Sequence, residues 1–184
     1  YSSDQGFYIG DHGWYDKRWM YEESLKMPLI VKWPGTIKAG SKEVKMVQNL
    51  DYAQTFLDLA GAPQPKDMQG RSIVPLLKGK KLDNWRKEIY YHYYEYPSVH
   101  MVPRHYGIRT NRYKLMHFYE FGDEWEMYDL KNDPDEVTNI YGKEEFVELQ
   151  KSLKKRLKNL QQFYDDQSDL SVRPEYIEKD RKKS

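Results

Sequence analysis

Three groups of residues near the start of the sequence could do chemistry. Asp4 and Gln5 stand side by side and offer a carboxylate and an amide carbonyl, hard oxygen donors suited to Ca²⁺. The same Asp-Gln-Gly string is also ordinary Asx-turn chemistry. His12 sits between two turn residues, either as a solvated or structural histidine or as an anion contact or proton donor. Asp16-Lys17-Arg18 sets one acceptor beside two cations. Arg grips an oxyanion with paired N–H groups and Lys acts as a mobile point charge, so two cations near a metal would suit a sulfate group. An exposed charged turn is the plainer reading of the same three residues.

The elements that must position these residues are legible around them. Gly6, Gly10 and Gly13 among polar neighbours predict an irregular loop after a strand end at Tyr1–Ser3, and loops after strands carry the chemistry of many α/β enzymes. Met27-Pro28-Leu29-Ile30-Val31-Lys32-Trp33 closed by Pro34-Gly35 has the pattern of a buried strand. Asp51 can cap a helix whose apolar residues Phe56, Leu59 and Ala60 share a face, with Gly61 and Pro63 ending it. Residues 73–77 read as a short helical or extended segment, and the Lys78–Lys81 linker suggests a boundary near residue 84. Beyond it, Glu88–Tyr96, Tyr106–Thr110, Tyr113–Tyr119 and Trp125–Asp129 are aromatic or β-branched runs between turns, predicting a small antiparallel sheet. His92 and His117 fall within these runs. From Glu144, Phe146, Leu149, Leu153, Leu157, Leu160 and Tyr164 recur at helical spacing, which favours docking on the sheet over a coiled coil. The expected organisation is an α/β part over 1–84, a sheet-and-helix subdomain over 85–165, and a polar tail over 166–184.

Composition narrows the partners. Thirty basic and twenty-nine acidic residues leave a formal charge of +1, so no global field favours nucleic acid or an anionic membrane. The absence of cysteine excludes disulfides, zinc-thiolate sites and a cysteine nucleophile within these 184 residues. No apolar run approaches the roughly 20 residues of a membrane span, and no signal-peptide pattern is present. The abrupt opening on Tyr1-Ser2-Ser3-Asp4 suggests a piece of a longer chain. Seventeen Tyr and five Trp are a heavy aromatic load that suits either sugar-binding clefts or ordinary cores.

Taken together, Ser3-Asp4-Gln5-Gly6, Gly10-Asp11-His12-Gly13, Lys17, Tyr21-Glu22-Glu23-Ser24 and the Pro28–Val31 run resemble the arylsulfatase-type sulfatases of the alkaline-phosphatase-like superfamily. Asp11 stands where that family usually has Glu. The resemblance continues through Asn49–Gln69, Gly107–Thr110, Tyr113–Leu115 and Tyr128–Asn139, and so covers the chain to about residue 165. It implies an α/β fold: the C-terminal portion of an alkaline-phosphatase-like domain, followed by a small antiparallel sheet with a long packing helix. It implies that Asp4 and Gln5 hold Ca²⁺, that Lys17 contacts the substrate sulfate, and that His12 is the family's loop histidine.

The remaining aspartate ligands and the Cys/Ser-x-Pro-x-Arg element that yields formylglycine are expected upstream, so this polypeptide alone should be inactive. In the implied reaction hydrated formylglycine attacks sulfur while cations stabilise the equatorial oxygens. Asp16, Arg18, His100 and His105 are the candidates for sugar hydroxyls, a solvated loop being the alternative for His100. The resemblance is strongest to bacterial glycosaminoglycan sulfatases acting on 6-O-sulfated N-acetylglucosamine, which implies a sulfated carbohydrate as substrate and a periplasmic or secreted location. The rivals are a phosphomonoester or phosphonate hydrolase of the same superfamily, for whose zinc Gln5 would be a poor ligand, and a non-catalytic carbohydrate-binding module.

Overall fold

The computed structural model describes residues 1–168 and 170; the remainder of the expected polar tail lies outside the described residues. The helices are α1 (Glu22–Leu25), α2 (Asp51–Ala60), α3 (Val74–Leu77) and α4 (Val147–Phe163). The strands are β1 (Glu88–Tyr93), β2 (His105–Thr110), β3 (Tyr113–Phe118) and β4 (Glu124–Asp129). These fall into two compact units, one of Tyr1–Asp4 and Pro28–Lys87, the other of Gln5–Met27 and Glu88 onward. Among the described residues no helix is long and apolar enough to cross a membrane.

The first unit holds α2 and α3. Helix α2 ends at Gly61, whose φ of 65° is the left-handed conformation that favours glycine. Its start departs from expectation, because Leu50 occupies the cap position and Asp51 is the first helical residue. The fully buried Asp51 carboxylate instead accepts from Gln48 N and Arg71 N, each at 2.8 Å, and from both terminal nitrogens of Arg86. The bidentate pair and two amide donors compensate the cost of burying the charge. The packed face of α2 is therefore Asp51, Gln54 and Thr55, while Phe56 and Leu59, expected to pack, are 68% and 48% exposed. The core of this unit lies instead around Ile73, Leu76 and Trp85. The strand expected at 27–35 is also absent. An isolated Ser2–Leu29 bridge, two hydrogen bonds between Tyr1 and Ile30 and one from Ser2 Oγ to Pro28 O form there, and Pro28 has no N–H to donate to a ladder. The Pro34-Gly35 turn does close the run.

The second unit is built on the sheet, antiparallel throughout and ordered β1-β2-β3-β4. Side chains alternate between its faces, so neighbours such as Leu115 and Met116, or Met127 and Tyr128, enter different cores. On one face Ile108, Leu115 and Met127 meet Leu153 and Leu157 of α4, both essentially inaccessible to solvent. Docking consumes the leucine stripe predicted from the helical spacing. On the other face Tyr93, Met116, Phe118 and Tyr128 pack with Tyr8, Trp19, Met20 and Tyr21. The approach here is close: a side chain at Gly107 would meet Leu115 O at 2.4 Å and Met20 Sδ at 2.7 Å.

A buried charge network fastens α1 to this sheet. Lys114 Nζ, with no solvent exposure, lies 2.7 Å from Glu136 Oε1 and 3.0 Å from Glu22 Oε1. Arg109 grips both oxygens of Glu22 at 3.2 and 2.9 Å, and Glu136 Oε2 accepts the Glu22 N–H at 2.7 Å. Burial would raise both carboxyls. Two cations outweigh it at Glu22, which is held down at about 2, whereas the more deeply buried Glu136 has only Lys114 and is pushed up.

Candidate functional site

Residues 5–27 form a folded-back loop seated on α1. Gly6 N donates to Ser24 O at 2.8 Å, Tyr8 N to Asp16 O at 2.8 Å and Gly10 N to Trp14 O at 2.9 Å, so the segment returns beside itself before entering the helix. Gly6 is required, since a Cβ there would sit 1.7 Å from the carbonyl oxygen of Glu23. At the tip, Asp11–Gly13 forms one 3-10 turn, Asp11 accepting from Ile9 N at 3.1 Å.

His12 adopts a left-handed φ of 52°. Its ring stacks on Tyr21, centroids 4.4 Å apart, and its Nε2 is 3.4 Å from Glu23 Oε2. The Glu23 carboxylate and the Tyr21 ring thus border the imidazole on two sides.

Asp16, Lys17, Arg18 and His100 come together. Asp16 Oδ1 accepts the Lys17 N–H and an Arg18 Nη1 bond of 2.8 Å, while Oδ2 is 3.8 Å from His100 Nδ1. Burial alone would raise the Asp16 carboxyl, but the Lys17 amide and the Arg18 guanidinium outweigh it and hold the group ionised below the usual range. Asp16 is thus an organiser of its own loop, and Arg18 and His100 flank its two oxygens. Lys17 O accepts Ser24 Oγ at 2.6 Å and Arg18 O accepts the Tyr91 hydroxyl at 2.7 Å, fixing the backbone beneath both cations.

His105, expected among the sugar-binding groups, is placed elsewhere. It lies in β2 with no exposure, its ring among Trp19, Tyr91, Tyr93 and Phe118, its Nδ1 2.8 Å from Pro103 O. Burial pushes its pKa down to about 4, so it is a neutral core residue, enclosed on all sides and out of reach of a ligand at the surface. The strand register that turns it inward was visible as alternation only once β2 was extended back to residue 105. Ser24 and Tyr91, to which no function was assigned from sequence, are the groups that hold the loop. Ser24 belonged to the Tyr-Glu-Glu-Ser string, but its burial depends on a helix of four residues that sequence periodicity does not reveal.

The donor set fits a hard cation in part. Asp4 lies in the first unit, exposed, with its backbone carbonyl accepting Asn49 Nδ2 at 3.1 Å. Gln5, in the second unit, is half-buried and donates its amide nitrogen toward Ser24 Oγ at 3.5 Å. A carboxylate and an amide carbonyl are the right chemistry for Ca²⁺, but they are a minority of the six to eight oxygens it takes. Among the described residues no group of three or more His, Cys, Asp or Glu is arranged to hold a metal.

Comparison with known proteins places this arrangement. The chain is 55% identical over 168 residues to an N-acetylglucosamine-6-O-sulfatase of Bacteroides thetaiotaomicron, covering 90% of this chain and 30% of that protein. It is 33% identical to human arylsulfatase K, over 87% of this chain and 30% of the relative. It therefore spans about a third of the length of the curated relatives it matches. Among solved structures, a protein in complex with its substrate D-glucosamine-2-N,6-O-disulfate superposes with a TM-score of 0.88 and 53% identity, covering 94% of this chain and 35% of that one. A phosphonate monoester hydrolase of Agrobacterium radiobacter, at 24% identity and a TM-score of 0.75, shares the fold alone. These likenesses bear out the α/β sulfatase fold class, with the four-stranded antiparallel sheet and its C-terminal helix. The N-sulphoglucosamine sulphohydrolase C-terminal family profile matches residues 10–163, and the chain belongs to that family.

Proposed function

We propose that this chain is the C-terminal part of a sulfatase that hydrolyses a sulfate ester of an amino sugar, 6-O-sulfated N-acetylglucosamine being the substrate class. The observation that carries this reading is the 55% identity to the Bacteroides N-acetylglucosamine-6-O-sulfatase across nine-tenths of the chain. The nucleophile and the rest of the metal site belong to an upstream portion of the same protein, because no Cys or Ser stands in an x-Pro-x-Arg setting here. In this reading residues 1–84 complete the catalytic α/β domain and 85–165 form the sheet subdomain, in a periplasmic or secreted enzyme.

Asp4 and Gln5 are the residues here that would hold Ca²⁺, which supplies Lewis-acid stabilisation of charge on the sulfate oxygens. Lys17 brings a point cation to the same oxygens, and fixing its backbone through Ser24 limits the reorganisation needed as charge develops. Asp16, with Arg18 and His100 beside its two oxygens, presents with them a polar edge suited to sugar hydroxyls. His12, oriented by Glu23 and Tyr21, is the group of this chain placed to hand a proton to the departing alcohol or to steady the sulfate.

The test uses the intact protein, incubated with 6-O-sulfated N-acetylglucosamine, its 3-O-sulfated isomer and an aryl sulfate. Release of sulfate from the 6-O isomer in preference to the 3-O isomer is expected. Turnover of the aryl sulfate without the 6-O sugar would remove the substrate assignment, and no sulfate release from any of the three would remove the sulfatase reading.

A further inference from the structure

Gln5 is held from behind by two hydroxyls, and each hydroxyl also grips the substrate loop. Ser24 is fully buried; its Oγ donates to Lys17 O at 2.6 Å and faces Gln5 Nε2 at 3.5 Å. Tyr91, on β1, donates its hydroxyl to Arg18 O at 2.7 Å. The Tyr91 hydroxyl also takes a hydrogen bond from the Gln5 side chain. A hydroxyl has one proton to give. Both protons here are committed to the carbonyls of Lys17 and Arg18, so each oxygen has only lone pairs left for Gln5.

Only an N–H group can meet lone pairs favourably. The Gln5 carboxamide must therefore turn Nε2 toward Ser24 and Tyr91, and its Oε1 is carried to the opposite end of the planar group. Gly6 allows the backbone approach that seats Gln5 beside Ser24.

We infer that Ser24 and Tyr91 are a pair of positioning residues that set the orientation of the Gln5 amide, aiming its oxygen at a hard cation, and that couple this ligand to the backbone of Lys17 and Arg18. The inference rests on the proposed sulfatase reading. It means that the loss of either hydroxyl acts at two places together. The amide loses the acceptor that distinguishes its two ends, and one loop carbonyl loses its donor.

The experiment measures calcium binding to the intact protein by titration calorimetry after metal removal, alongside kcat and KM for the sulfated sugar. Tyr91→Phe preserves the ring, and Ser24→Ala removes one buried oxygen. Each is expected to weaken calcium binding and lower kcat about tenfold or more, the usual effect of removing a group that orients a metal ligand. KM should change less, and Ser24→Thr, which keeps the hydroxyl, should recover most of the loss. A purely structural part would lower the melting temperature while the folded fraction kept wild-type calcium affinity. Calcium affinity and kcat within twofold of wild type in both folded variants would overturn the inference, as would loss of affinity in Ser24→Thr equal to that in Ser24→Ala. If Tyr91→Phe does not fold, the Ser24 pair decides alone. A wild-type protein that releases sulfate but binds no calcium overturns the orienting role and leaves the activity standing, whereas one that binds calcium but hydrolyses no sulfate ester removes the functional reading first.

Discussion

Replacing Lys114 by Met retains a long apolar stem and deletes the ammonium at the centre of the buried network. Glu22 keeps the two-pronged contact with Arg109, but Glu136 keeps only the 2.7 Å amide of Glu22. A carboxylate with no solvent exposure and no cation is then left in the interior, a loss of about 3–5 kcal/mol when one partner of a buried pair is removed. In amide hydrogen exchange of β2 and β3 this corresponds to protection lower by about 10²- to 10⁴-fold at neutral pH. The sign of the pH dependence is fixed by Glu136, whose folded pKa is already raised and rises further without Lys114. Its stabilising contribution is then present below the unfolded value near 4.5 and lost as pH rises through the higher folded value. The defect should therefore shrink toward pH 5, and the double variant Lys114→Met with Glu136→Gln should regain more than half of the protection. A loss under about 1 kcal/mol, or equal losses at pH 5 and pH 8, would refute the assignment of an uncompensated buried charge.

Three further outcomes follow from the same geometry. Burial lowers the His105 pKa to about 4 against an ordinary 6.5, so the unfolded chain binds more protons between those values; this group should take about 3 kcal/mol from stability as pH drops from 6.5 to 4, beside smaller losses of the same sign from His92 and His117, and His105→Phe should flatten the slope by that share in pH-dependent urea unfolding. Lys17→Ala should lower kcat/KM for aryl sulfate and sulfated sugar alike, whereas Arg18→Ala should chiefly affect the sugar, by about 1–3 kcal/mol; equal effects on both substrates would show that the loop acts as one electrostatic unit. Gly6→Ala places a Cβ against the Glu23 carbonyl and should cost about 1–3 kcal/mol, read from melting of the intact protein, with calcium affinity reduced beside it.

The elements of the second unit were legible because their signals are periodic and their partners are close in sequence. Tyr113–Phe118 alternates between two cores, and Leu153 and Leu157 recur on one face of α4, so the patterns match the burial. Residues 27–35 misled because an apolar run reads as a strand whatever lies beside it, whereas Pro28 has no N–H for a ladder and the pairing here is the isolated Ser2–Leu29 bridge. In α2 the periodicity of Phe56 and Leu59 was real, but the packed face is set by Asp51, whose tie to Arg86 spans 35 residues and leaves no local trace. Residue types alone left Asp16–Arg18 open between an anion-binding loop and an exposed charged turn, and only the family resemblance gave Lys17 a role. That His105 turns inward and that Ser24 and Tyr91 stand behind Gln5 are tertiary facts. Each depends on a contact whose two ends share no spacing rule.

Because strand order follows chain order, the sheet has a kinetic consequence. The β2–β3 hairpin closes through Asn111 and Arg112, with Thr110 bonded to Tyr113, and each later pairing joins sequence neighbours. Packing Tyr21 against the same sheet closes a far longer loop, its hydroxyl reaching Glu126 across 105 residues. Closure entropy grows with the logarithm of loop length, which sets the second event about 2 kcal/mol or more behind the first. The meander and α4 should form early, with residues 5–27 arriving late. Until they arrive, Met116, Phe118 and Tyr128 face water, and that interval is when a nascent chain is most open to chaperone capture or to association with another copy.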